Sequence, residues 1–471
     1  MELQALLDDS RALAPLARYD VHGDSALEIV EASMDSRTVT PQSLFFCVPG
    51  AATDGHRFAD AAVDSGAAAL VVERRLDVAV TQVVVPDVRL VIGPLCATLH
   101  GRPSERLDVV GITGTNGKTT TAQLLGDLLR ADERRVEVYG TLDGGHTTPE
   151  APVLQRRLRE AVAAGASAVV MEVSSHALAQ HRVDGTRFRV GVFTNLSRDH
   201  LDFHESMERY FDAKARLFER SLSSAGVICA DDPHGRLLID TATIPVRAYA
   251  LGDVEALTLD RTSSSFVWRG HPVRLPLAGR FNVLNALAAA SAASELGMAD
   301  AAIASALAHV NPVAGRFETI DAGQAFRVVV DYAHTPDGLS EVLSAASETT
   351  PGSLIVVFGC GGDRDATKRP AMGETAARIA DRVVLTSDNP RSEDPDAIIS
   401  AVRAGIPAEG RIDILIEPDR RRAIALALAS AGAGDTVVIA GKGHETTQTI
   451  GDQVVPFDDR VVARELLEAG R

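Results

Sequence analysis

The amino-acid sequence predicts an α/β fold in which helices pack on parallel sheets, and three observations support it. The chain has 471 residues, enough for roughly two to four domains of ordinary size. Short apolar runs followed by glycine and then by a helical pattern recur along most of it, which is typical of strand–helix–strand units. Aromatic residues make up 4% of the chain, a content that favours this fold over an aromatic-rich β-sandwich.

The predicted elements alternate along the chain. Strands are predicted at 107–113, 166–173, 191–195, 227–230, 328–331, 354–359, 382–386, 412–417 and 435–440. Amphipathic helices are predicted at 118–130, 206–222, 282–296, 370–381 and 420–431. Because helical stretches lie between the strands, we expect crossover connections and therefore parallel strand pairing.

Two breaks divide the chain into three predicted domains. The segment 100–104 contains glycine and proline and precedes a strand with a very different set of motifs. Residues 310–312 include a proline and follow an alanine-rich helical stretch. The predicted domains are residues 1–105, 106–312 and 313–471, each close to the usual size of a domain.

The composition excludes several classes of function. With 47 Lys and Arg against 64 Asp and Glu, the net charge is −17, which argues against non-specific binding to nucleic acid or to an anionic membrane. The four cysteines are too far apart for a disulfide framework or a structural zinc site. There is no signal-peptide pattern at the start and no apolar run of the roughly 20 residues that a membrane helix needs. We therefore expect a cytoplasmic protein without a nucleic-acid or membrane partner.

A glycine-rich loop follows the predicted strand 107–113 and precedes the predicted helix 118–130. Its residues are Gly114, Thr115, Asn116, Gly117, Lys118, Thr119 and Thr120. Small residues let backbone N–H groups surround phosphate oxygens at the helix amino terminus, while Lys118 reaches the β- and γ-phosphates and the Thr119 hydroxyl binds Mg²⁺. The spacing departs from the strict P-loop because Ile112 occupies the first glycine position. The alternative is a turn with an incidental lysine, but the flanking strand and helix favour a nucleoside-triphosphate site.

Glu172 and His200 lie at the ends of two neighbouring predicted strands. A P-loop Mg²⁺ normally needs a carboxylate at the end of a nearby strand, and Glu172 fits that need. Taken singly, Glu172 is more typical of a solvated strand end, and His200 of a capping or core histidine. In a domain that also carries a phosphate loop, both are candidate site residues, because ligands bind at the carboxyl ends of parallel strands.

Lys214 lies on the apolar face of the predicted helix 206–222. That face is marked by Met207, Tyr210, Phe211, Leu217 and Phe218. A lysine in this position either extends its ammonium group to solvent along an apolar stem or has a depressed pKa and takes part in chemistry. The pattern alone does not choose between the two.

A series of motifs extends this pattern along nearly the whole chain. They are GTNGKTTT (114–121), TTPE (147–150), MEVSSHALAQHRV (171–183), FTNLSRDHLDFH (193–204), AKARLF (213–218), GRFNVLNALAA (279–289), GRFE (315–318), DYAHTPDGL (331–339), GCGGDRD (359–365), KRPAMG (368–373), DNPR (388–391) and GKGHE (441–445). In these motifs and their order, the sequence resembles the Mur ligases, which add amino acids to a UDP-linked muramyl peptide. The departure at Ile112 is itself part of the family pattern, whereas Ala366 and Thr367 replace the more usual basic or glycine residues.

The resemblance implies a first domain that binds the UDP-linked substrate, a central P-loop ATPase domain and a Rossmann-like carboxyl-terminal domain that binds the amino acid. The implied reaction uses ATP to phosphorylate the γ-carboxylate of a D-glutamyl residue, and an amine then displaces phosphate. Lys118, Glu172, His200 and Lys214 are the implied catalytic residues. Thr119 and Glu172 would bind one Mg²⁺, and His200 and Lys214, the latter as N6-carboxylysine, a second. A carbamate would account for a lysine on an apolar face, because it turns a cation into an anionic ligand.

The same resemblance implies the binding residues. Besides the loop 114–120, ATP would contact Asn285 through adenine, Arg316 through phosphate and Asp331 through ribose, in a cleft between the second and third domains. His334 would lie near this cleft, although a structural role for this histidine is as well supported. The implied contacts of the UDP-linked substrate are Ser36, Thr147, Thr148, Ser174, Gln180 and Arg182.

The DNPR motif is implied to select the amino acid. Arg391 can bind the distal carboxylate of meso-2,6-diaminopimelate through two hydrogen bonds, with support from Arg364 and Asn389. Lysine lacks that carboxylate and would leave the guanidinium desolvated and unpaired. The implied diaminopimelate contacts are Arg364, Asp388, Asn389, Pro390, Arg391, Gly441 and Glu445. The expected function is the ATP-dependent joining of meso-2,6-diaminopimelate to UDP-N-acetylmuramoyl-L-alanyl-D-glutamate, by a monomer, in the synthesis of peptidoglycan precursors.

Three alternatives remain open on the sequence. A muramyl ligase that adds L-lysine shares all the ATP machinery, and Arg391 is the main argument against it. A folylpolyglutamate synthase-type ligase shares the same ATP motifs but not DNPR, GKGHE or the TTPE segment. A P-loop switch or motor protein would hydrolyse nucleotide without an amine acceptor, which phosphate release would reveal.

Overall fold

The computed structural model describes residues 1–50, 53–144, 146–407 and 412–470. Three main sheets follow one another along the chain, and helices lie against them. The predicted α/β class is therefore confirmed. Within these ranges no helix is long and apolar enough to cross a membrane.

The first sheet has the strand order β1-β5-β4-β3-β2. Its strands are β1 (Asp20–His22), β2 (Glu31–Ser33), β3 (Ser43–Phe46), β4 (Ala67–Val72) and β5 (Thr81–Val84). Its helices are α1 (Leu3–Ser10), α2 (Ala59–Asp64) and α3 (Val88–Leu99). Helix α3 approaches the next part of the chain so closely that a Cβ atom at Gly93 would lie 2.1 Å from the carbonyl oxygen of Asp184.

The second sheet is parallel and has the strand order β11-β10-β9-β6-β8-β7. Its strands are β6 (Asp108–Thr113), β7 (Val136–Tyr139), β8 (Ala168–Glu172), β9 (Val190–Phe193), β10 (Gly226–Cys229) and β11 (Val246–Tyr249). The helices are α4 (Lys118–Ala131), α5 (Ala151–Ala163), α6 (Ser175–Ala179), α7 (Leu201–His204), α8 (Met207–Ala215), α9 (Pro233–Thr241), α10 (Arg280–Glu295) and α11 (Asp300–Leu307). A small antiparallel sheet follows β11 and contains β12 (Val254–Leu259), β13 (Ser264–Trp268) and β14 (His271–Leu275).

The third sheet has the strand order β15-β16-β20-β17-β18-β19. Its strands are β15 (Glu318–Thr319), β16 (Arg327–Asp331), β17 (Leu354–Phe358), β18 (Arg382–Leu385), β19 (Asp413–Ile416) and β20 (Thr436–Ala440), and the hairpin of β21 (Thr447–Ile450) and β22 (Gln453–Pro456) follows. The helices are α12 (Pro336–Ser347), α13 (Arg369–Ile379), α14 (Pro395–Arg403), α15 (Arg420–Ser430) and α16 (Asp459–Ala469).

The central strand β6 explains why the second sheet is so apolar. Val110 and Ile112 face a core built with α4 and α10, whereas Val109 faces a second core on the other side of the sheet. Because successive side chains point to opposite faces, a strand covered on both faces must be apolar throughout. The adjacent strands β8 and β9 are equally apolar. Because both pair with β6 in parallel, the carboxyl ends of all three strands lie side by side.

The nine predicted strands are confirmed to within two residues at each end, but one predicted helix is too long. The helix predicted at 206–222 ends at Ala215 and continues as a single 3-10 turn to Phe218. The chain leaves the helix because Leu222 accepts a backbone hydrogen bond from Phe188, and Ser223 forms a parallel bridge with Phe188. The domain boundaries at 105 and 312 fall between sheets and stay predictions.

Candidate functional site

The phosphate loop lies between β6 and α4, as predicted. Gly117 has φ +84°, and a Cβ atom there would lie 2.3 Å from Oδ1 of Asn285. Glycine is therefore required both for the left-handed backbone and for the approach of α10. Lys118 folds over the loop and donates hydrogen bonds to the carbonyl oxygens of Gly114 and Thr115, both at 2.8 Å. Burial lowers the pKa of the Lys118 ammonium group.

Glu172, at the end of β8, faces the first turn of α4. The Thr119 hydroxyl donates to Oε2 of Glu172 at 3.0 Å, and the backbone N–H of Thr141 donates to Oε1 at 2.8 Å. The side chains of Thr119 and Glu172 are both buried. The loop and its predicted carboxylate partner are thus in direct contact, which sequence spacing alone could not establish.

Lys214 is enclosed, with 1% of its surface exposed. Its Nζ donates to the carbonyl oxygen of Gly114 at 2.8 Å and lies 4.5 Å from the centre of the Tyr210 ring. Burial, together with the nearby charge of Lys118, holds the pKa of Lys214 well below its usual value. The side chain therefore turns inward to the phosphate loop, and the solvent-directed alternative is wrong.

His200 has a left-handed backbone, with φ +54°, just before α7. Partial burial lowers its pKa to about 3, so the imidazole is neutral at pH 7 and can act as a metal ligand. The neighbouring Asp199 is buried. It lies 3.7 Å from Nε2 of His334, which follows strand β16 of the third sheet. The histidine of DYAHTP therefore reaches the phosphate-loop region.

Of the other three predicted ATP residues, Arg316 and Asn285 contact the loop or the helix that follows it. Arg316, just before strand β15 of the third sheet, donates to the Thr119 hydroxyl at 3.0 Å. A side chain from the part of the chain that forms the third sheet therefore contacts the first turn of α4. Asn285 accepts from the Thr121 hydroxyl at 3.5 Å. Asp331 accepts backbone hydrogen bonds from Phe317 at 2.6 Å and from Ala333 at 2.7 Å. Burial raises the pKa of Asp331.

Most of the predicted UDP-substrate residues form one group beside Glu172. The Thr148 hydroxyl donates to the Glu172 carbonyl at 3.0 Å, and Arg182 donates to the Thr148 carbonyl at 3.1 Å. Ser174, Gln180 and Thr147 adjoin this pair, whereas within the described residues no hydrogen bond joins Ser36 to the group. Sequence reasoning missed Glu150, which pairs with Arg182 at 3.0 Å and with Arg89 of α3 at 2.7 Å.

The predicted amino-acid residues gather at the carboxyl ends of β17, β18 and β20. A Cβ atom placed on Gly361 would lie 3.0 Å from Nη1 of Arg391 and 3.9 Å from Cγ of Arg364. Arg391 donates to the Gly362 carbonyl at 2.6 Å, and its backbone N–H donates to Thr449 in the hairpin at 3.1 Å. Within the described residues, neither guanidinium forms an ion pair with a carboxylate.

Asn389 forms its hydrogen bonds with groups other than Arg391, and its contact with the amino acid stays a prediction. Its amide nitrogen donates to Asp388 at 3.0 Å and to Oε2 of Glu445 at 2.8 Å, while its oxygen accepts from Thr449 at 3.0 Å. Asp388 is buried, which raises its pKa, and a Cβ atom on Gly441 would lie 2.5 Å from its Oδ2. Pro390 continues this loop to Arg391. Asn389 thus links the DNPR and GKGHE loops to each other.

The donor atoms present fit one of the two predicted metal sites. The Thr119 hydroxyl and the Glu172 carboxylate are adjacent oxygen donors, the type that Mg²⁺ prefers. Within the described ranges there is no cluster of three or more His, Cys, Asp or Glu side chains able to hold a metal ion. His200 alone supplies one neutral nitrogen, and the ammonium form of Lys214 is no ligand. The second site therefore requires the carboxylated form of Lys214.

Family models and full-length relatives match this chain along its length. The Mur ligase middle domain matches residues 112–293, the Mur ligase glutamate ligase domain matches 315–443, and the Mur ligase family catalytic domain matches 28–95. A UDP-N-acetylmuramoyl-L-alanyl-D-glutamate–2,6-diaminopimelate ligase from Geobacillus thermodenitrificans is 44% identical, with all of both chains covered. The chain belongs to the Mur ligase family. The enzyme of the same name from Streptomyces coelicolor is 44% identical over 94% of this Mur ligase and 94% of its own length.

Solved structures agree with this assignment. A structure of a UDP-N-acetylmuramoyl-L-alanyl-D-glutamate–2,6-diaminopimelate ligase has a TM-score of 0.68 and 35% identity, covering 98% of this Mur ligase and 99% of that chain. A folylpolyglutamate synthase from Mycobacterium tuberculosis, complexed with ADP and AMPPCP, has a TM-score of 0.60 at 19% identity and covers 74% of this chain and 91% of its own. The second likeness concerns the fold alone.

Proposed function

We propose that this Mur ligase joins meso-2,6-diaminopimelate to the γ-carboxyl group of UDP-N-acetylmuramoyl-L-alanyl-D-glutamate in the cytoplasm, with ATP converted to ADP and phosphate. The observation that carries the choice of amino acid is the Arg391 guanidinium at Gly361, where Nη1 lies 3.0 Å from the position of an added Cβ atom. The Arg391 guanidinium has no carboxylate partner among the described residues, and the side-chain stem of Arg364 also approaches Gly361. The distal carboxylate of diaminopimelate supplies that partner. The full-length relatives that bear this enzyme's name support the same assignment.

Activation of the acid is the first step. A carboxylate is a poor electrophile, so the γ-carboxylate oxygen attacks the γ-phosphorus of ATP and ADP leaves. Lys118 and the backbone N–H groups of the loop supply positive charge to the phosphates as negative charge moves onto the leaving ADP. Arg316, from the part of the chain that forms the third sheet, adds a further positive charge beside Thr119. The product is an acyl phosphate.

Thr119 and Glu172 would hold Mg²⁺, and a carboxylated Lys214 with His200 would hold a second ion. The bound ions would neutralise phosphate charge and orient the two anionic reactants. Lys214 suits carboxylation because burial lowers its pKa and so favours the neutral amine, the form that attacks carbon dioxide and then releases a proton.

Formation of the amide is the second step. The free amine of the amino acid attacks the acyl carbon, and phosphate leaves from the tetrahedral intermediate as the amine loses a proton. Arg391 and Arg364 hold the distal carboxylate, while Glu445 and the Gly441 carbonyl accept from the distal ammonium group. L-Lysine would leave the partly buried guanidinium of Arg391 without an anion, which disfavours it.

Product mass tests this function. Purified protein with ATP, Mg²⁺ and UDP-N-acetylmuramoyl-L-alanyl-D-glutamate is given diaminopimelate, L-lysine or ornithine in separate reactions. We expect the tripeptide mass with diaminopimelate and little or no product with the other two amines. Equal product with L-lysine would contradict the specificity, and no ADP release with any amine would contradict the whole proposal.

A further inference from the structure

The distribution of lysine in this chain is unusual. Of the 47 basic residues, four are lysines, at positions 118, 214, 368 and 442, and all others are arginines. Lys214, Lys368 and Lys442 are buried, and Lys118 is partly buried in the phosphate loop. Where arginine supplies nearly all positive charge, the remaining lysines mark places that require a compact ammonium group. Lys442 lies in the GKGHE motif, and the proposed reaction gives it no role.

Lys442 is fully enclosed, with 0% of its surface exposed. Its Nζ donates to Oε2 of Glu445 at 2.8 Å, to the Thr447 carbonyl at 2.6 Å and to Oδ1 of Asn389 at 3.3 Å. Three N–H bonds thus meet three acceptors around a single nitrogen. The planar guanidinium of arginine is larger and cannot reproduce this arrangement in an enclosed site.

These contacts give the two oxygens of the Glu445 carboxylate different hydrogen bonding. Oε2 receives hydrogen bonds from both Lys442 and Asn389, each at 2.8 Å. Oε1 accepts no hydrogen bond from the described residues, and 30% of the Glu445 side chain is exposed. The carboxylate is therefore fixed through one oxygen, which leaves the other available to a ligand.

We propose that Lys442 is a positioning residue of the amino-acid site: it anchors Glu445 through Oε2 and presents Oε1 to the ammonium group of the amino-acid substrate. This inference rests on the proposed function, because it deepens the role of Glu445 in that site. Lys442 itself does not touch the substrate. Its action passes through Glu445, and its contact with Asn389 is longer, at 3.3 Å, and secondary.

The charges around Glu445 show why removal of Lys442 has a measurable signature. Burial acts to raise the pKa of Glu445, but the charge and hydrogen bond of Lys442, together with the hydrogen bond of Asn389 and the charge of His444, outweigh it, so the pKa lies below the usual value. The other charged or titratable groups facing this region are His444, Asp388, Arg420 and Tyr332. Without Lys442, the pKa of Glu445 rises, and acid weakens amino-acid binding at a higher pH than in the wild type.

A double-mutant cycle on the full-length enzyme tests this role. Lys442→Met, Glu445→Gln and the double variant are compared with the wild type for the KM of each of the three substrates. We expect Lys442→Met to raise the KM for diaminopimelate about 10- to 100-fold, the usual effect of losing a hydrogen bond between charged groups. The KM values for ATP and the UDP-linked substrate should change less than about twofold, because those sites lie elsewhere. The double variant should resemble Glu445→Gln alone, because both changes act through one carboxylate.

The pH profile gives a second readout. As pH falls from neutral towards the ordinary pKa range of a glutamate side chain, the ratio of the Lys442→Met KM for diaminopimelate to the wild-type KM should grow. Lys442→Gln is made in parallel, because it retains a donor for the Thr447 carbonyl and perturbs folding less. Thermal unfolding of each variant reports whether it is folded.

Several results would overturn the inference. They are an unchanged KM for diaminopimelate in a folded Lys442→Met variant, effects that multiply in the double variant, and an equal rise in all three KM values. Failure of both Lys442→Met and Lys442→Gln to fold would also overturn it, because Lys442 would then be a purely structural residue. Failure of the proposed function is distinguishable, since the wild type itself would then not use diaminopimelate. If the wild type used another amine, the same cycle with that amine would decide the role of Lys442.

Discussion

The phosphate loop and the amino-acid site are built in different ways. The phosphate loop is one continuous segment, 114–120, whose shape is set by glycine backbone angles and whose partner Glu172 ends the adjacent strand β8. The amino-acid site takes side chains from the ends of β17, β18 and β20 and uses the hairpin after β20 to hold Arg391.

The difference lies in what fixes the charged groups. In the proposed reaction, backbone N–H groups of the loop bind the phosphates, and the fold sets their positions. The amino-acid site instead depends on buried ion pairs behind it. Arg420 pairs with Asp459 at 2.7 Å and donates to the carbonyls of Ser387 and Ala440, the residues that precede the DNPR and GKGHE loops. ATP binding should therefore tolerate changes that abolish amino-acid selection.

The largest effect is expected from the phosphate loop itself. Lys118→Met removes the charge beside the transferred phosphate and should lower kcat about 10⁴-fold, the scale of comparable cationic groups in phosphoryl transfer. Amide formation and ADP release are both measured. A variant with kcat within tenfold of the wild type would contradict the role of Lys118. Thermal unfolding serves as the control for fold.

Arg391→Ala tests the same comparison at the amino-acid site. With the distal carboxylate unpaired, kcat/KM for diaminopimelate should fall about 10³-fold, while ATP affinity changes little. Arg391→Lys is the matched control, and it should recover only part of the loss, because an ammonium group cannot form the two parallel hydrogen bonds. An unaltered rate with diaminopimelate would remove Arg391 from the specificity argument.

The Arg420–Asp459 pair sharpens the comparison through stability. Both side chains are fully buried, so Arg420→Met leaves an unpaired carboxylate and should lower the free energy of unfolding by about 3 kcal/mol. The double variant Arg420→Met/Asp459→Leu should recover most of that loss. Urea denaturation measures both variants. A double variant no more stable than the single one would show that charge burial is not the cause.

The smallest effect is expected at the contact between the two regions. Arg316 donates to the Thr119 hydroxyl at 3.0 Å, so Arg316→Met should raise the KM for ATP about tenfold. The KM for diaminopimelate should stay close to the wild-type value. A larger rise in the KM for diaminopimelate than in the KM for ATP would contradict the assignment of Arg316 to the ATP site.

The sequence predicted the phosphate side of the molecule more fully than the amino-acid side. A P-loop is a local pattern, and β8 and β9 are covered on both faces, so Glu172 and His200 follow continuous apolar runs that are easy to recognise. The hairpin that holds Arg391 has the exposed residues Thr447, Ile450 and Val454, and it lacks such a run. Its role depends on pairing that no local pattern encodes.

Lys214 and Lys442 show the same limit from another angle. An apolar helix face identified Lys214 as unusual, but only the contact with Gly114 decided which way it points. Lys442 stands between two glycines, so no periodic pattern marked it as buried. The motif did include it, and the scarcity of lysine in this chain was a signal available from composition.

The central claim is that the phosphate region activates the same carboxyl carbon that the amine, held in the amino-acid region, then attacks. The direct test uses substrate with ¹⁸O in both oxygens of the D-glutamyl γ-carboxyl group, and mass spectrometry of the phosphate and peptide after turnover with diaminopimelate. An acyl phosphate predicts one ¹⁸O atom in each phosphate released and one in the new amide. Phosphate without ¹⁸O would contradict the account.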